Sequence, residues 1–196
     1  MNAATPPLAA FIFVLALIAA AAIDLRRGLI PDEITLGGAA FSLAAAAFSS
    51  WPAWREGLAT ALAGLATGLA LALLLYAFGT ILFRERIRAA READPDIQSA
   101  LGLGDVKLMA FIGAFLGPSG ACFALLGGSV LGAAAGTLVK FATGVPEGRT
   151  GWAGMLARWR TGVSVIPFGP FLAAASLAYL FGESEIRAFC MIFAGG

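Results

Sequence analysis

Histidine is absent from the 196-residue sequence, and this absence removes several classes of enzyme at once. A serine or cysteine nucleophile of the usual kind needs a histidine as its general base, so Ser-His-Asp and Cys-His catalysis are excluded. Zinc and haem centres with histidine ligands are excluded for the same reason. Any catalysis by this chain must rest on other side chains.

Cysteine is nearly absent as well. The two residues of this type, Cys122 and Cys190, lie far apart in apolar stretches. They form neither the closely spaced pair of a metal site nor a disulfide framework. We expect both thiols to be buried and inert, and we expect the protein to use no metal or other cofactor.

Charged residues are scarce, at 13% of the chain, whereas a typical soluble domain has about 25%. Apolar residues make up 60% of the chain, and the mean hydropathy is +0.87. Such a chain cannot cover itself with polar surface in water, so we expect a lipid bilayer around it. The formal net charge of +1 gives no indication of a nucleic-acid partner.

Six apolar runs approach the roughly 20 residues that a helix needs to cross a bilayer. They fall near residues 7–24, 34–50, 57–83, 101–117, 119–141 and 161–182. No lysine or arginine precedes the first run, whereas a secretory signal begins with a basic segment, so we expect a retained helix there. The sequence predicts an all-α polytopic membrane protein with about six transmembrane helices, forming one domain over residues 1–196.

Basic residues predict the orientation, because cytoplasmic loops are enriched in lysine and arginine. The first, third and fifth loops hold most of them, namely Arg26, Arg27, Arg84, Arg86, Arg88, Arg91, Lys140, Arg149, Arg158 and Arg160. The other side holds Arg55 and Arg187. The odd loops are therefore predicted to be cytoplasmic. Segment 84–100 is either a substrate-facing loop or a solvated linker, and segment 142–160 is predicted to be interfacial.

Two aspartates stand apart from the other acidic residues, which fall in loops. Asp24 ends the first apolar run, and Asp105 lies just inside the fourth, in the stretch LGLGDVKLMA. If the chain turns after Gly117, the helix between Asp105 and that turn spans roughly 20 Å, within a hydrocarbon core about 30 Å thick. Both aspartates are therefore predicted at a similar depth near the cytoplasmic face, where ionisable residues are candidate functional groups.

Gly102 and Gly104 precede Asp105, and their lack of a Cβ permits irregular backbone and the close approach of another chain, such as an extended substrate. Each aspartate also has a purely structural interpretation. Asp24 is able to pair with neighbouring arginines at the interface, and Asp105 with Lys107. Two carboxylates at one depth, in a chain without histidine, favour a catalytic pair instead.

The chemistry of such a pair is well defined. Two carboxylates that share a site cannot both ionise readily, so one proton stays between them. The ionised partner can take a proton from water while the protonated partner polarises a peptide carbonyl. This is aspartic proteolysis, and it needs neither a metal nor a covalent intermediate.

Three segments of the chain resemble the type IV prepilin peptidases, membrane aspartic proteases of the GxGD group. They are IDLRRGLIPDEITL at 23–36, GLGDVKLMAFIGAFLG at 102–117 and IPFGPFLA at 166–173. The resemblance covers essentially the whole chain, and the three motifs in this order are specific. It implies that Asp24 and Asp105 are catalytic and that Asp32 is an accessory position. It also implies site-shaping or substrate-binding roles for Gly102, Gly104, Lys107, Phe168, Gly169 and Pro170.

The resemblance implies a substrate as well. This is a prepilin-like membrane precursor, whose short basic leader is cut at the cytoplasmic face of a prokaryotic inner membrane, after a glycine and commonly before a phenylalanine. Longer bacterial members carry an N-terminal segment with paired cysteines that is associated with N-methylation. This sequence starts almost at its first span and has no such pair, so we expect the short, peptidase-only form, which also resembles the archaeal preflagellin peptidases.

Two further classes of protein are open on the residues alone. In a small transporter or channel, Asp24 and Asp105 would relay protons or bind a cation. In a non-catalytic assembly factor, both aspartates would be dispensable. The sequence identifies neither the particular precursor nor the oligomeric state.

Overall fold

The computed structural model describes residues 6–82, 84–85, 88, 102–143 and 168–194, with 139–143 and 183–194 described as backbone. Within these ranges the chain forms five α-helices: α1 (Pro7–Arg27), α2 (Asp32–Ser49), α3 (Trp54–Leu82), α4 (Leu103–Thr143) and α5 (Gly169–Ala194). The predicted all-α class is confirmed. Segments 84–100 and 142–160, for which the sequence suggested several roles, lie largely outside the described residues.

The short connection between α1 and α2 follows from its residues. Gly28 has a left-handed backbone with a φ of 63°, and its N–H donates to the Asp24 carbonyl at 2.7 Å, which ends α1. Glycine adopts this conformation without steric cost. Pro31 is extended, and Asp32 and Glu33 form the first turn of α2, where negative charge complements the helix dipole.

Helix α4 is broken at Gly117, whose φ of 76° and ψ of −178° are not helical. A β-carbon on Gly132, in the second half, would lie 3.7 Å from the ring of Phe168 at the start of α5. Gly169, the first residue of α5, donates a hydrogen bond from its N–H to Asp24. Asp24 in turn interacts electrostatically with Asp105, which lies in the first half of α4. A straight helix would separate Gly132 from Asp105 by about 40 Å. Helix α4 therefore doubles back at Gly117, where the sequence placed a boundary between two apolar runs.

By length and hydropathy, three helices of the described chain are candidate membrane spans: Pro7–Arg27, Trp54–Leu82 and Leu103–Leu138. The expectation of about six spans is therefore not confirmed by these criteria. Two features account for most of the difference. The doubled-back α4 counts as one helix, and the described apolar part of α5 is the shorter segment Gly169–Gly182.

The core of the bundle is built around the first half of α4. Leu108, Phe111 and Ile112 are almost completely buried there. From α1, Phe13 stacks on Phe115 with 4.0 Å between ring centroids and meets Phe111 edge-on at 5.2 Å. These aromatic contacts fix α1 against α4 in the middle of the bundle.

Helix α3 approaches α4 through glycines. A β-carbon on Gly64 would collide with the Gly113 carbonyl, and one on Gly68 with the Met109 carbonyl. The absence of side chains therefore lets the two backbones touch, as small residues four apart do in membrane helices. Gly128 serves the contact between the second half of α4 and α5 in the same way.

The outer surface carries large apolar side chains. Phe48 is 88% exposed, Phe181 76% and Ile81 74%. This surface suits lipid, since exposing it to water would cost about 25 cal/mol for each Å². Cys122 is exposed as well, so the expectation that it is buried was wrong: it lies on an outward-facing side of its helix. The side chain of Cys190 lies outside the description.

Candidate active site

Asp24 lies in the last turn of α1 and is 6% exposed. Its Oδ2 accepts a hydrogen bond from the backbone N–H of Gly169 at 3.2 Å. Gly169 is the first residue of α5, so its N–H has no partner within that helix. The end of α1 and the start of α5 are thus joined through the Asp24 carboxylate, which a helix N-terminus favours.

Asp105 lies in the first turn of α4 and is 8% exposed. Its backbone N–H donates to the Gly102 carbonyl at 3.1 Å, which sets the start of the helix. Its Oδ1 is buried and has no hydrogen-bond partner among the described residues. A buried acceptor in this state costs about 1–3 kcal/mol, and unsatisfied groups of this kind call for an explanation. A substrate or a water molecule is a suitable partner.

The two carboxylates belong to one site. Asp24 lies near enough to Asp105 for their charges to interact, although the two residues come from different helices and are widely separated in the sequence. Two carboxylates placed in this way hold one proton between them more readily than they both ionise. The pair therefore has the composition that acid–base hydrolysis requires.

Lys107 pairs with Asp32 instead of Asp105. Its Nζ lies 2.6 Å from Oδ1 and 2.7 Å from Oδ2 of Asp32. The two side chains are 39% and 55% exposed, so the pair lies at the rim of the bundle. The purely structural interpretation, in which Lys107 neutralises Asp105, is therefore wrong. The ion pair instead ties the first turn of α2 to the second turn of α4.

The glycines around the site have different neighbours. A β-carbon on Gly104 would lie 3.2 Å from Cβ of Ile30, so this glycine accommodates the chain's own Ile30 and not a substrate. Gly102 is exposed, and a β-carbon there would lie 3.2 Å from Oδ2 of Asp105. The expected approach of a substrate chain is therefore available at Gly102 and blocked at Gly104.

The start of α5 forms the third side of the site. The Phe168 carbonyl accepts hydrogen bonds from the N–H groups of Phe171 and Leu172, both at 3.1 Å, and so begins the helix. Pro170 lies in the first turn, where its missing N–H costs little. A β-carbon on Gly169 would lie 2.7 Å from Oδ2 of Asp24. The backbone of α5 therefore reaches Asp24 because position 169 has no side chain.

Ile30 was missed by the sequence reasoning, although it is 8% exposed and lies beside both Gly104 and Gly169. The signal available was the apolar pair Leu29-Ile30 between Gly28 and Pro31, which does not by itself show which of the two side chains is buried.

The rest of the described residues bear on two other kinds of site, a metal centre and a ligand cavity. No group of three or more acidic or cysteine side chains is arranged to hold a metal ion. A cavity of about 320 Å³ lies at the opposite end of the bundle, lined by residues that include Ser49, Glu56 and Ser119. It is next to the Gly117 turn and therefore far from the two aspartates.

The family model described as the type IV leader peptidase family matches residues 11–137, a range that includes both aspartates. No solved structure gave a significant match.

Several curated proteins named prepilin leader peptidase/N-methyltransferase are similar to the chain. The protein from Burkholderia pseudomallei (strain 1026b) is 32% identical over 177 residues, which cover 89% of this chain and 46% of the relative. The protein from Aeromonas hydrophila is 31% identical over 185 residues, covering 92% and 51%. The chain spans about half the length of the curated relatives it matches.

Proposed function

The chain belongs to the type IV leader peptidase family, as its resemblance predicted, and from this premise we propose that it is a membrane aspartic endopeptidase. Its proposed substrates are type IV prepilin-like precursors, and the proposed cut removes their short basic leader at the cytoplasmic membrane face. The observation that carries the proposal is the meeting of two buried carboxylates, Asp24 and Asp105, at one end of the bundle.

In the proposed reaction, the ionised carboxylate takes a proton from water while the water oxygen attacks the carbonyl carbon of the scissile peptide bond. The other carboxyl group passes its proton to the carbonyl oxygen, which gives a neutral tetrahedral diol. The first carboxyl group then protonates the departing amine as the C–N bond breaks, and the second recovers a proton from the diol. The products are a carboxylic acid and an amine, and the dyad again holds one proton.

The surroundings of the dyad support this chemistry. Asp24 is held by the Gly169 N–H, while Oδ1 of Asp105 is left for a hydrogen bond to substrate or water. A precursor that reaches Asp105 from the exposed side of Gly102 passes close to the backbone, which favours a small residue at the cleaved bond. We assign supporting roles to Lys107 and Asp32, and to the start of α5 at 168–170.

We further propose a single domain of about six spans, with both aspartates towards the cytoplasm of a prokaryotic inner membrane. Two observations support the count: the reversal of α4 at Gly117 makes two antiparallel segments, and the 18 residues of α2 would extend about 27 Å. The basic residues of the odd loops support the orientation. Transport by the aspartates, the alternative function, is not favoured by the family match.

Cleavage of an intact precursor in oriented vesicles tests the proposal. Inside-out vesicles should process an added prepilin-like precursor, and right-side-out vesicles should not. Mass spectrometry of the product should give one new N-terminus, at the junction of the leader and the apolar helix. In a series that changes the last glycine of the leader to Ala, Val and Leu, the rate should fall steeply with side-chain size.

Two results would contradict the proposal. Equal rates across the glycine series would refute the confined site, and a cut from the outer face would mean that the orientation is inverted.

A further inference from the structure

Ile30 lies in the connection between α1 and α2, next to Leu29. Of these two apolar residues, Ile30 is buried and Leu29 is exposed. Its side chain is 8% exposed, whereas that of Leu29 is 71% exposed. The left-handed turn at Gly28 and the extended Pro31 on either side fix the direction of the chain here. Ile30 therefore points into the bundle at the level where α1 ends.

The side chain of Ile30 touches both of the other segments that form the site. A β-carbon on Gly104, the residue before Asp105, would lie 3.2 Å from Cβ of Ile30 and 3.5 Å from its backbone N. A β-carbon on Gly169, whose N–H binds Asp24, would lie 3.2 Å from Cδ1 of Ile30. One isoleucine is thus in contact with the turn that carries Asp105 and with the turn that holds Asp24.

Through these contacts, Ile30 affects the positions of the two carboxylates. Both glycines lack the side chain that would otherwise fill the space, so Ile30 sets how closely the start of α4 approaches the start of α5. Interiors of proteins are close-packed, and removing methyl groups lets the surrounding segments shift. Because the glycines lie next to Asp105 and on the hydrogen bond to Asp24, such a shift would change the geometry of the dyad.

We propose that Ile30 is a positioning residue of the peptidase, a spacer that fixes the separation of the Asp24 and Asp105 carboxylates through its contacts with Gly104 and Gly169. This inference rests on the proposed function. Ile30 is nearly inaccessible, so it acts on the reaction through the two aspartates and not by contact with the substrate. Its effect therefore belongs in kcat and not in KM.

The test compares Ile30→Val, Ile30→Leu and Ile30→Ala with the matched control Leu29→Ala, using a synthetic prepilin-like peptide. Rates are expressed per folded protein, with the folded fraction taken from unfolding curves. Ile30→Ala should lower kcat by about 100-fold, the cost of misplacing reacting groups by about 1 Å, with KM within about twofold. Ile30→Val loses the methyl group that contacts Gly169 and should lower kcat by roughly tenfold. Ile30→Leu keeps the volume and should retain most of the rate.

Each outcome decides the matter. Unchanged kcat in Ile30→Ala, or an equal loss in Leu29→Ala, would overturn the inference. A raised KM with unchanged kcat would also overturn it, because Ile30 would then be a substrate contact. If Ile30→Ala does not fold, the comparison of the other two variants decides. Ile30→Leu should have a higher kcat than Ile30→Val, and the reverse order or equal values would overturn the inference. An inactive wild-type protein would instead refute the proposed function and this inference with it, whereas aspartate-dependent cleavage that ignores Ile30 would refute this inference alone.

Discussion

Adding one carbon at Gly169 should separate activity from stability. In Gly169→Ala the new β-carbon would lie 2.7 Å from Oδ2 of Asp24 and 3.2 Å from Cδ1 of Ile30, whereas ordinary van der Waals contact begins at 3.4 Å. The carboxylate or the start of α5 must therefore move by about 0.7 Å. A displacement of about 1 Å between reacting groups can cost a factor of about 100 in rate. We expect kcat to fall roughly 10- to 100-fold.

The same change should have a small effect on the free energy of unfolding. Alanine also loses less backbone entropy than glycine on folding, by about 0.4–1 kcal/mol, which offsets part of the steric cost. Gly37→Ala is the matched control, because it makes the same replacement in α2 with no atom within 4 Å of the new carbon. The control should cleave at the wild-type rate and be as stable as wild type or slightly more stable.

The assay is the initial rate of leader cleavage by purified protein in detergent or nanodiscs, followed by intact mass, with thermal unfolding measured on the same samples. If Gly169→Ala cleaved as fast as Gly37→Ala, contact between α5 and Asp24 would have no part in catalysis. That result would refute the reasoning from the 3.2 Å hydrogen bond and the 2.7 Å clearance.

Further predictions concern the rim of the site and the chemistry. Asp32→Lys and Lys107→Asp should each slow cleavage and the charge-swapped double variant should recover much of the rate, while unfolding changes by about 1 kcal/mol or less because the pair is half-exposed. A double variant no better than the worse single variant would contradict a direct pairing. Cleavage should also be insensitive to chelators and to serine- or thiol-directed reagents, because the proposed dyad activates water and needs neither a metal nor a nucleophilic side chain, and Cys122 lies in the half of α4 beyond Gly117. Strong inhibition by a chelator would contradict a metal-free mechanism.

The helical class and the general position of the aspartates were predictable because they depend on local sequence. Long apolar runs specify helices in a bilayer, where backbone groups must bond within the segment. A reversal at Gly117 was likewise predictable, since glycine followed by proline interrupts a helix and permits the positive φ observed there. Asp24 at the end of α1 and Asp105 at the start of α4 then fall at the same end of the bundle by residue count alone.

The contacts between helices were not predictable in this way. The sequence places Lys107 two residues from Asp105, yet the ion pair forms with Asp32, because the rotation of α4 against α2 decides which carboxylate the lysine reaches. Gly104 was interpreted as room for a substrate, yet Ile30 occupies that room. Burial of Cys122 was expected from apolar neighbours, which do not distinguish a face towards protein from a face towards lipid.

The central claim is that Asp24 and Asp105 together hydrolyse the leader peptide bond. Its most direct test is prolonged incubation of Asp24→Asn and Asp105→Asn with a prepilin-like precursor, beside Glu33→Gln, which changes an exposed carboxylate in the first turn of α2. The amide keeps the shape of the side chain and removes its ionisable group, so both aspartate variants should be folded, inserted in the membrane and without detectable product. Glu33→Gln should cleave as wild type does. Substantial turnover by either aspartate variant would contradict the account.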